Sequence, residues 1–305
     1  MWLIIGLLSP FFFTATNYLD KYILTREIPN PLAMPIITAL VSAAYGVIFW
    51  IVGGFTWINP LDAGLAMLGG MTGLFASVLY FQVIKATDEV SVFVVLLQIT
   101  PLWVLLLSFV LLGERLTWVQ LLAFFMILTA AVGLSLRQSE ADGSVLARLL
   151  KSRELLWAVA ITALFSVGVI TFRYVSGSYG FFQLAAYESW GLGIGGIILY
   201  SISPKVRGAF VETLPILSLR VFGLAALNET FFVAGKTSRL ASVSLAPSAA
   251  LAAVLGSTQV FTAILIGWLL SVLVPSIYRE RIGAADLLTK GAWAAVILGG
   301  IILLQ

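Results

Sequence analysis

Two side chains are missing altogether: the chain has neither cysteine nor histidine. Disulfides, thiol chemistry, Cys/His metal sites and imidazole proton relays are therefore excluded. Charge is scarce as well, because Asp, Glu, Lys and Arg make up only 10% of the 305 residues, where a soluble domain carries about 25%. What fills the space is apolar, at 61% of the chain. Such a sequence buries its surface in lipid, where only helices or a closed barrel satisfy the backbone. The apolar runs are continuous rather than alternating, which selects helices. Net charge is +3, with 17 Lys+Arg spread over many short loops. That spread reads as topology signals rather than a nucleic-acid patch. Met1 opens an apolar run with no basic leader or small-residue cleavage site, so it is read as a first span and not a signal peptide.

The stretch from Val90 to Leu136 organises the rest. Val90 to Gly113 and Leu116 to Leu136 are uncharged, and each is long enough to cross about 30 Å of hydrocarbon at about 1.5 Å per residue. Between them lies the turn Gly113-Glu114-Arg115-Leu116, so the segment is a hairpin with its charges at a membrane face. A related turn, Arg279-Glu280-Arg281-Ile282, follows a later apolar run. Ten spans are predicted, at approximately 2–24, 32–53, 63–84, 91–112, 117–136, 155–176, 181–202, 214–236, 247–273 and 288–304. The charge-free run Leu240 to Tyr278 is 39 residues long. Pro247 and Pro275 suit its two ends, giving one long tilted span, with an extra span or a re-entrant piece as the alternative.

The sizeable polar linker Arg137 to Glu154 divides the chain into 1–136 and 155–305, with 137–154 between them. Sliding one half over the other sets Lys21-Tyr22 on Arg173-Tyr174 at an offset of 152, Lys85 on Lys236 at 151, and Glu114-Arg115 on Glu280-Arg281 at 166. Five spans per copy turn the second copy upside down, and the loop charges change sides accordingly. Loops after the odd spans hold 13 Lys+Arg, and those after the even spans and at the termini hold 3. The positive-inside rule then puts both termini outside the cytoplasm.

An apolar span containing Pro101, the turn Gly113-Glu114-Arg115-Leu116, and a Leu/Ala-rich span ending in Gly133-Leu134 resemble the second hairpin of EamA-type transporters. These belong to the drug/metabolite transporter superfamily. With the second Glu-Arg turn, the resemblance covers essentially the whole chain, although Arg279 stands where Gly113 stands in the first copy. It implies an all-α membrane protein of ten transmembrane helices in two inverted five-helix repeats. It also implies secondary transport of small metabolites, often export, with no cofactor, through a cavity lined by spans one to four and six to nine. Relatives of this kind are assigned cytoplasmic termini, against the charge count.

Ionisable groups inside spans cost about 2.5–3.5 kcal/mol on insertion scales, so each suggests a function. Glu188, in Tyr187-Glu188-Ser189-Trp190, and Glu229, after Asn228, have no charged neighbour within a turn. Each is expected to face an aqueous cavity or to be protonated, and could carry a coupling proton or bind an amine. The plainer reading is a neutral acid that hydrogen-bonds a facing helix. Asn17, Asp20 and Lys21 share one side of span one. They could form a polar gate; the plainer reading makes Asp20 and Lys21 interfacial charges, with Asn17 the better cavity candidate. Gln98 with Pro101, and Gln259 with Ser257, sit at matching depths, where they could contact substrate or only tie helices together. Tyr80, Trp103, Tyr187 and Trp190 are aromatic candidates for the lining. Glu114 is expected to hold its turn through Arg115 or a nearby loop.

Other motifs carry no chemistry. Gly191-Leu-Gly193-Ile-Gly195-Gly196 lies inside an apolar span, so it is a helix-packing device and not a dinucleotide loop. Gly69-x3-Gly73 and Ala249-x3-Ala253-x3-Ser257 are read the same way. Metalloprotease and Ser/His hydrolase chemistry both need histidine, and paired intramembrane aspartates are missing. The expected protein is a multi-pass transporter of the cell membrane, not an enzyme, that moves small polar metabolites such as amino acids with a coupling proton. It would act as a monomer or homodimer. Efflux of lipophilic cations is the alternative within transport, and a membrane scaffold or sensor the alternative outside it.

Overall fold

The computed structural model describes residues 1–86, 97–139, 153–273 and 284–304. In chain order the helices are α1 (Trp2–Arg26), α2 (Met34–Val52), α3 (Pro60–Ala86), α4 (Thr100–Leu112), α5 (Trp118–Ser139) and α6 (Arg153–Val175). They continue with α7 (Phe181–Ile202), α8 (Pro204–Thr213), α9 (Leu219–Leu245), α10 (Ala249–Leu255), α11 (Gln259–Leu273) and α12 (Ala284–Leu303). The first part of span four, most of the linker and the second Glu-Arg turn lie outside the described residues.

Among the described residues, five stretches are long and apolar enough to cross a membrane by length and composition: Trp2–Arg26, Met34–Val52, Pro60–Ala86, Leu156–Val175 and Ala249–Gly267. Helices α7 and α9, with 22 and 27 residues, are equally long. Their apolar character is diluted by Glu188 in one and by Asn228, Glu229, Lys236 and Arg239 in the other. The eighth span therefore differs from the expected 214–236: Leu214–Ile216 is a 3₁₀ turn, and the helix runs on to Leu245. The expected boundary came too early because Lys236 reads as a loop charge. Before it, α8 is a short surface helix whose N-cap Ser203 accepts the Val206 N–H at 3.4 Å.

Small residues set the helix pairs. Helix α1 packs antiparallel to α9, with Gly6 against Ser242 and Phe12 and Phe13 against Gly235. Helix α2 packs antiparallel to α7, with Gly46 on Ala186 and Trp190, and Gly196 on Ala39. Helices α3 and α7 run parallel and approach closest: a Cβ on Gly70 would lie 1.9 Å from the Glu188 carbonyl oxygen, and one on Gly191 would lie 2.1 Å from that of Met67. Such contact lets backbone dispersion hold helices together where lipid supplies no hydrophobic drive. Helix α5 pairs with α12 through Gly133 on Trp293 and Gly300 on Ile127. A core of Phe124, Ile127, Leu251, Val254 and Leu255 joins this pair to α10.

The first hairpin turns as its sequence requires. Gly113 takes φ +67°, a left-handed conformation that favours glycine, and the Glu114 N–H reaches back to the Ser108 carbonyl at 3.1 Å. Glu114 does not pair with Arg115. Its Oε1 lies 2.9 Å from Nε of Arg173 on α6, and its Oε2 accepts from the Ser248 hydroxyl at 2.9 Å and the Ala249 N–H at 2.8 Å. Arg173 in turn donates to the carbonyls of Val243, Ser244 and Pro247. One ion pair thus closes the end of α9 and the start of α10.

The chain between 247 and 273 is a single broken crossing. A 3₁₀ turn, Gly256–Thr258, separates α10 from α11, a local departure that marks functional hinges. The fourth span is also interrupted, at Gln98-Ile99 before α4. There Pro101 removes the N–H that would have bonded the carbonyl four residues back.

Candidate functional site

Both interruptions open onto one central cavity of about 140 Å³, lined by α1, α2, α3, α4, α6, α7, α9 and the broken crossing. Comparable space holds a benzene-sized ligand. The lining follows helical stripes. On α1 it is Ser9, Phe13, Thr16, Asn17 and Asp20, and on α9 it is Glu229, Phe232, Lys236, Arg239 and Leu240. Helices α3 and α9 are both 27 residues long, and their first residues, 60 and 219, differ by 159, as do their last, 86 and 245. At that offset Gly73, Ser77, Tyr80 and Phe81 of the lining fall on Phe232, Lys236, Arg239 and Leu240. The sequence offset of 151, which set Lys85 on Lys236, differs from this alignment of helix ends by about two helical turns.

One end of the cavity is acidic. Asp20 accepts from Asn228 Nδ2 at 2.7 Å and from the Tyr80 hydroxyl at 2.8 Å, and the same hydroxyl lies 2.8 Å from Asn17 Oδ1. Asp20 thereby ties α1 to α3 and α9. It is 1% exposed, so it is no interfacial charge. Glu229 Oε1 accepts from the Thr38 hydroxyl on α2 at 2.6 Å, while its buried Oε2 has no partner among the described residues.

The other end is basic. Lys236 sits 2.5 Å from Glu188 Oε2 on α7 and 3.0 Å from the Ser189 hydroxyl. Glu188 is therefore a compensated carboxylate, with its partner supplied by a different helix. Arg239 lies over the Phe13 ring, 5.3 Å from its centroid, a favourable cation–π arrangement. From Glu229 to Arg239 is ten residues, or about 15 Å along the axis at 1.5 Å per residue. The acidic and basic ends are thus distinct tiers, with Phe13 and Phe232 between them.

Of the residues singled out from sequence, Glu229, Glu188, Asn17, Gln98, Gln259 and Tyr80 line the cavity. Asn228 stands behind it, holding Asp20. Tyr187 does not reach it: one residue from Glu188 is about 100° around a helix, and its hydroxyl receives the Ile58 N–H at 3.4 Å near the membrane face. Trp103 and Ser257 do not line it either. Trp190 packs on Trp50 and Gly46. Sequence reasoning missed Thr38, Lys236 and Arg239, and weighed Asp20 mainly as an interfacial charge. The available signal was the 229/232/236/239 spacing, which sets those residues on one helix face.

The comparisons with known proteins agree with this architecture. Residues 1–136 match the model of the EamA-like transporter family. That family is one of transporters, and the likeness runs from α1 into α5; with the apolar helices it supports a multi-pass integral membrane protein. No curated protein matches. Sixteen chains of solved structures do. One, described as "Crystal structure of protein", superposes with a TM-score of 0.55 at 16% identity, over 99% of this chain and 97% of its own. At that identity the likeness is one of fold alone.

Proposed function

We propose that the protein is a secondary active carrier, an exporter or permease of small polar metabolites such as amino acids, with a coupling proton carried on Glu229. The observation that carries this reading is the burial of Asp20, Glu188, Glu229 and Lys236, with Arg239 half-buried beside them, around one cavity in otherwise apolar helices. Five ionisable groups at such depth, each costing about 2.5–3.5 kcal/mol on insertion scales, exceed what a scaffold requires.

Alternating access is supported by the helix pairs. The contacts α1 with α9 and α6 with α3 are equivalent under an inverted repeat, as α2 with α7 is to itself, and the 159 offset brings the linings of α3 and α9 into one register. Discontinuous helices facing the cavity in spans four and nine are the device that inverted-repeat carriers use at their binding sites. Lipophilic cations suit this cavity less well, since Lys236 and Arg239 repel them. Purified protein in proteoliposomes, preloaded with an unlabelled amino acid mixture, should take up labelled amino acid by counterflow. No counterflow with any amino acid, organic acid or amine would return the protein to the scaffold or sensor reading.

A further inference from the structure

The hydrogen-bonding capacity left open at the basic end of the cavity is donor capacity. Three buried atoms there have no partner among the described residues, Ser9 Oγ, Arg239 Nε and Gln259 Nε2, while Asn17 Nδ2 is an open donor in the acidic tier. All three residues line the cavity. Ser9 is 2% exposed and Gln259 7%. They also converge. Arg239 lies over Phe13, one turn along α1 from Ser9, and the hydroxyl of the adjacent Thr14 lies 3.5 Å from the Gln259 carbonyl. The open acceptors, Glu229 Oε2 and Asn228 Oδ1, lie in the other tier.

A buried donor left unmatched is costly. Three of them around one space, one on a guanidinium, call for an acceptor. Lys236 is already bound to Glu188 and Ser189, and Arg239 has no carboxylate within ion-pair distance among the described residues. The charge available to an incoming anion is thus on Arg239. Its fork of N–H groups matches the two oxygens of a carboxylate or phosphate. Gly256 and Gln259, at the 3₁₀ break, leave the wall open on this side.

We infer that Arg239, Gln259 and Ser9 form an oxyanion subsite that takes the carboxylate or phosphate group of the transported molecule. This rests on the transporter reading and narrows the substrate class to anions and zwitterions. In the 15 Å below it, Phe13 and Phe232 receive the apolar part of the substrate, and the acidic tier is left to the proton.

Thermal unfolding of purified protein tests the subsite without reference to transport. Acetate and inorganic phosphate are titrated against chloride at equal ionic strength. At least one oxyanion should raise Tm above chloride, acetate alone pointing to carboxylates and phosphate to phosphate esters. Arg239→Gln should abolish the shift, and Gln259→Leu and Ser9→Ala should each raise the half-saturating concentration, by about tenfold for a charge-assisted bond lost. Arg115→Gln should leave it unchanged. If Arg239→Gln does not fold, Arg239→Lys keeps the charge without the fork and should weaken the shift. No oxyanion effect in the wild type, a shift kept in Arg239→Gln or Arg239→Lys, or an adventitious ion only, displaced equally by chloride, overturns the subsite. Counterflow that persists in that case leaves the transporter reading standing.

Discussion

The Glu114 carboxylate lies 2.9 Å from Nε of Arg173, and the two side chains close opposite sides of the same break, Glu114 the start of α10 and Arg173 the end of α9. Each charge complements a helix terminus as well as its partner. The sequence suggested a surface pair with Arg115 or a neighbouring loop, worth about 0–1 kcal/mol. With Glu114 and Arg173 only 14% and 20% exposed, Glu114→Gln should instead cost about 1–3 kcal/mol. Melting temperature in detergent should fall while substrate affinity in the surviving folded protein is unchanged. An affinity loss at unchanged melting temperature would move Glu114 into the site.

The α3–α7 seam gives a sharper contrast between two neighbouring glycines. At Gly70 a Cβ would meet the Glu188 carbonyl oxygen at 1.9 Å and Leu192 N at 2.8 Å, whereas at Gly73 it would meet nothing within 4 Å. Gly70→Ala should therefore fail to yield folded protein. Gly73→Ala should fold normally and merely reduce the cavity. Size-exclusion profiles of the two variants decide it, and equal behaviour would disprove the packing.

Lys236 and Glu188 are 5% and 10% exposed at their side chains. Removing one member of such a pair strands a buried charge, at a cost of about 3–5 kcal/mol. Lys236→Met should lower Tm sharply, and Glu188→Gln added to it should recover most of the loss. If the double variant is no better than Lys236→Met alone, the pair is not an energetic unit.

How far the sequence could be read depends on the residue. Glu229 was legible as a candidate because a carboxylate amid Leu, Ala and Phe is costly to bury, whether it faces a cavity or hydrogen-bonds a facing helix. Gly191, Gly193 and Gly196 were legible as packing because their run lies wholly inside an apolar span. Lys236 and Arg239 were not, since a cation near a presumed helix end reads as a loop charge, and its partners, Glu188 on α7 and Phe13 on α1, are brought to it only by tertiary structure. Tyr187 was overvalued because adjacency in sequence is not adjacency on a helix.

Moving Lys236 and Arg239 into the cavity also sharpens topology. Their removal from the loop count takes the minority side from 3 to 1, leaving Arg115, against 13 on the other. The positive-inside rule then places Lys205 in the cytoplasm and Thr56 outside. A chain without cysteine suits single-cysteine labelling directly. In intact cells an impermeant maleimide should label Thr56→Cys and not Lys205→Cys. The reverse pattern would mean cytoplasmic termini and a failure of the rule here.

The last prediction separates the two acids of the lower tier. Both oxygens of Asp20 are occupied, by Asn228 and Tyr80, across three helices. The Tyr80 hydroxyl has one hydrogen and two acceptors at 2.8 Å, Asp20 and Asn17, so its orientation follows the proton on Asp20. That arrangement is a joint. Asp20→Asn should lower Tm, and Tyr80→Phe should lower it less. Glu229 has one oxygen on Thr38 and the other open to the cavity. It can exchange a proton without breaking a helix contact. Glu229→Gln should therefore keep its melting temperature and its counterflow while pH-driven accumulation is lost. If Glu229→Gln accumulates substrate with unchanged pH dependence, and Asp20→Asn folds stably but has lost that dependence, the proton belongs to Asp20.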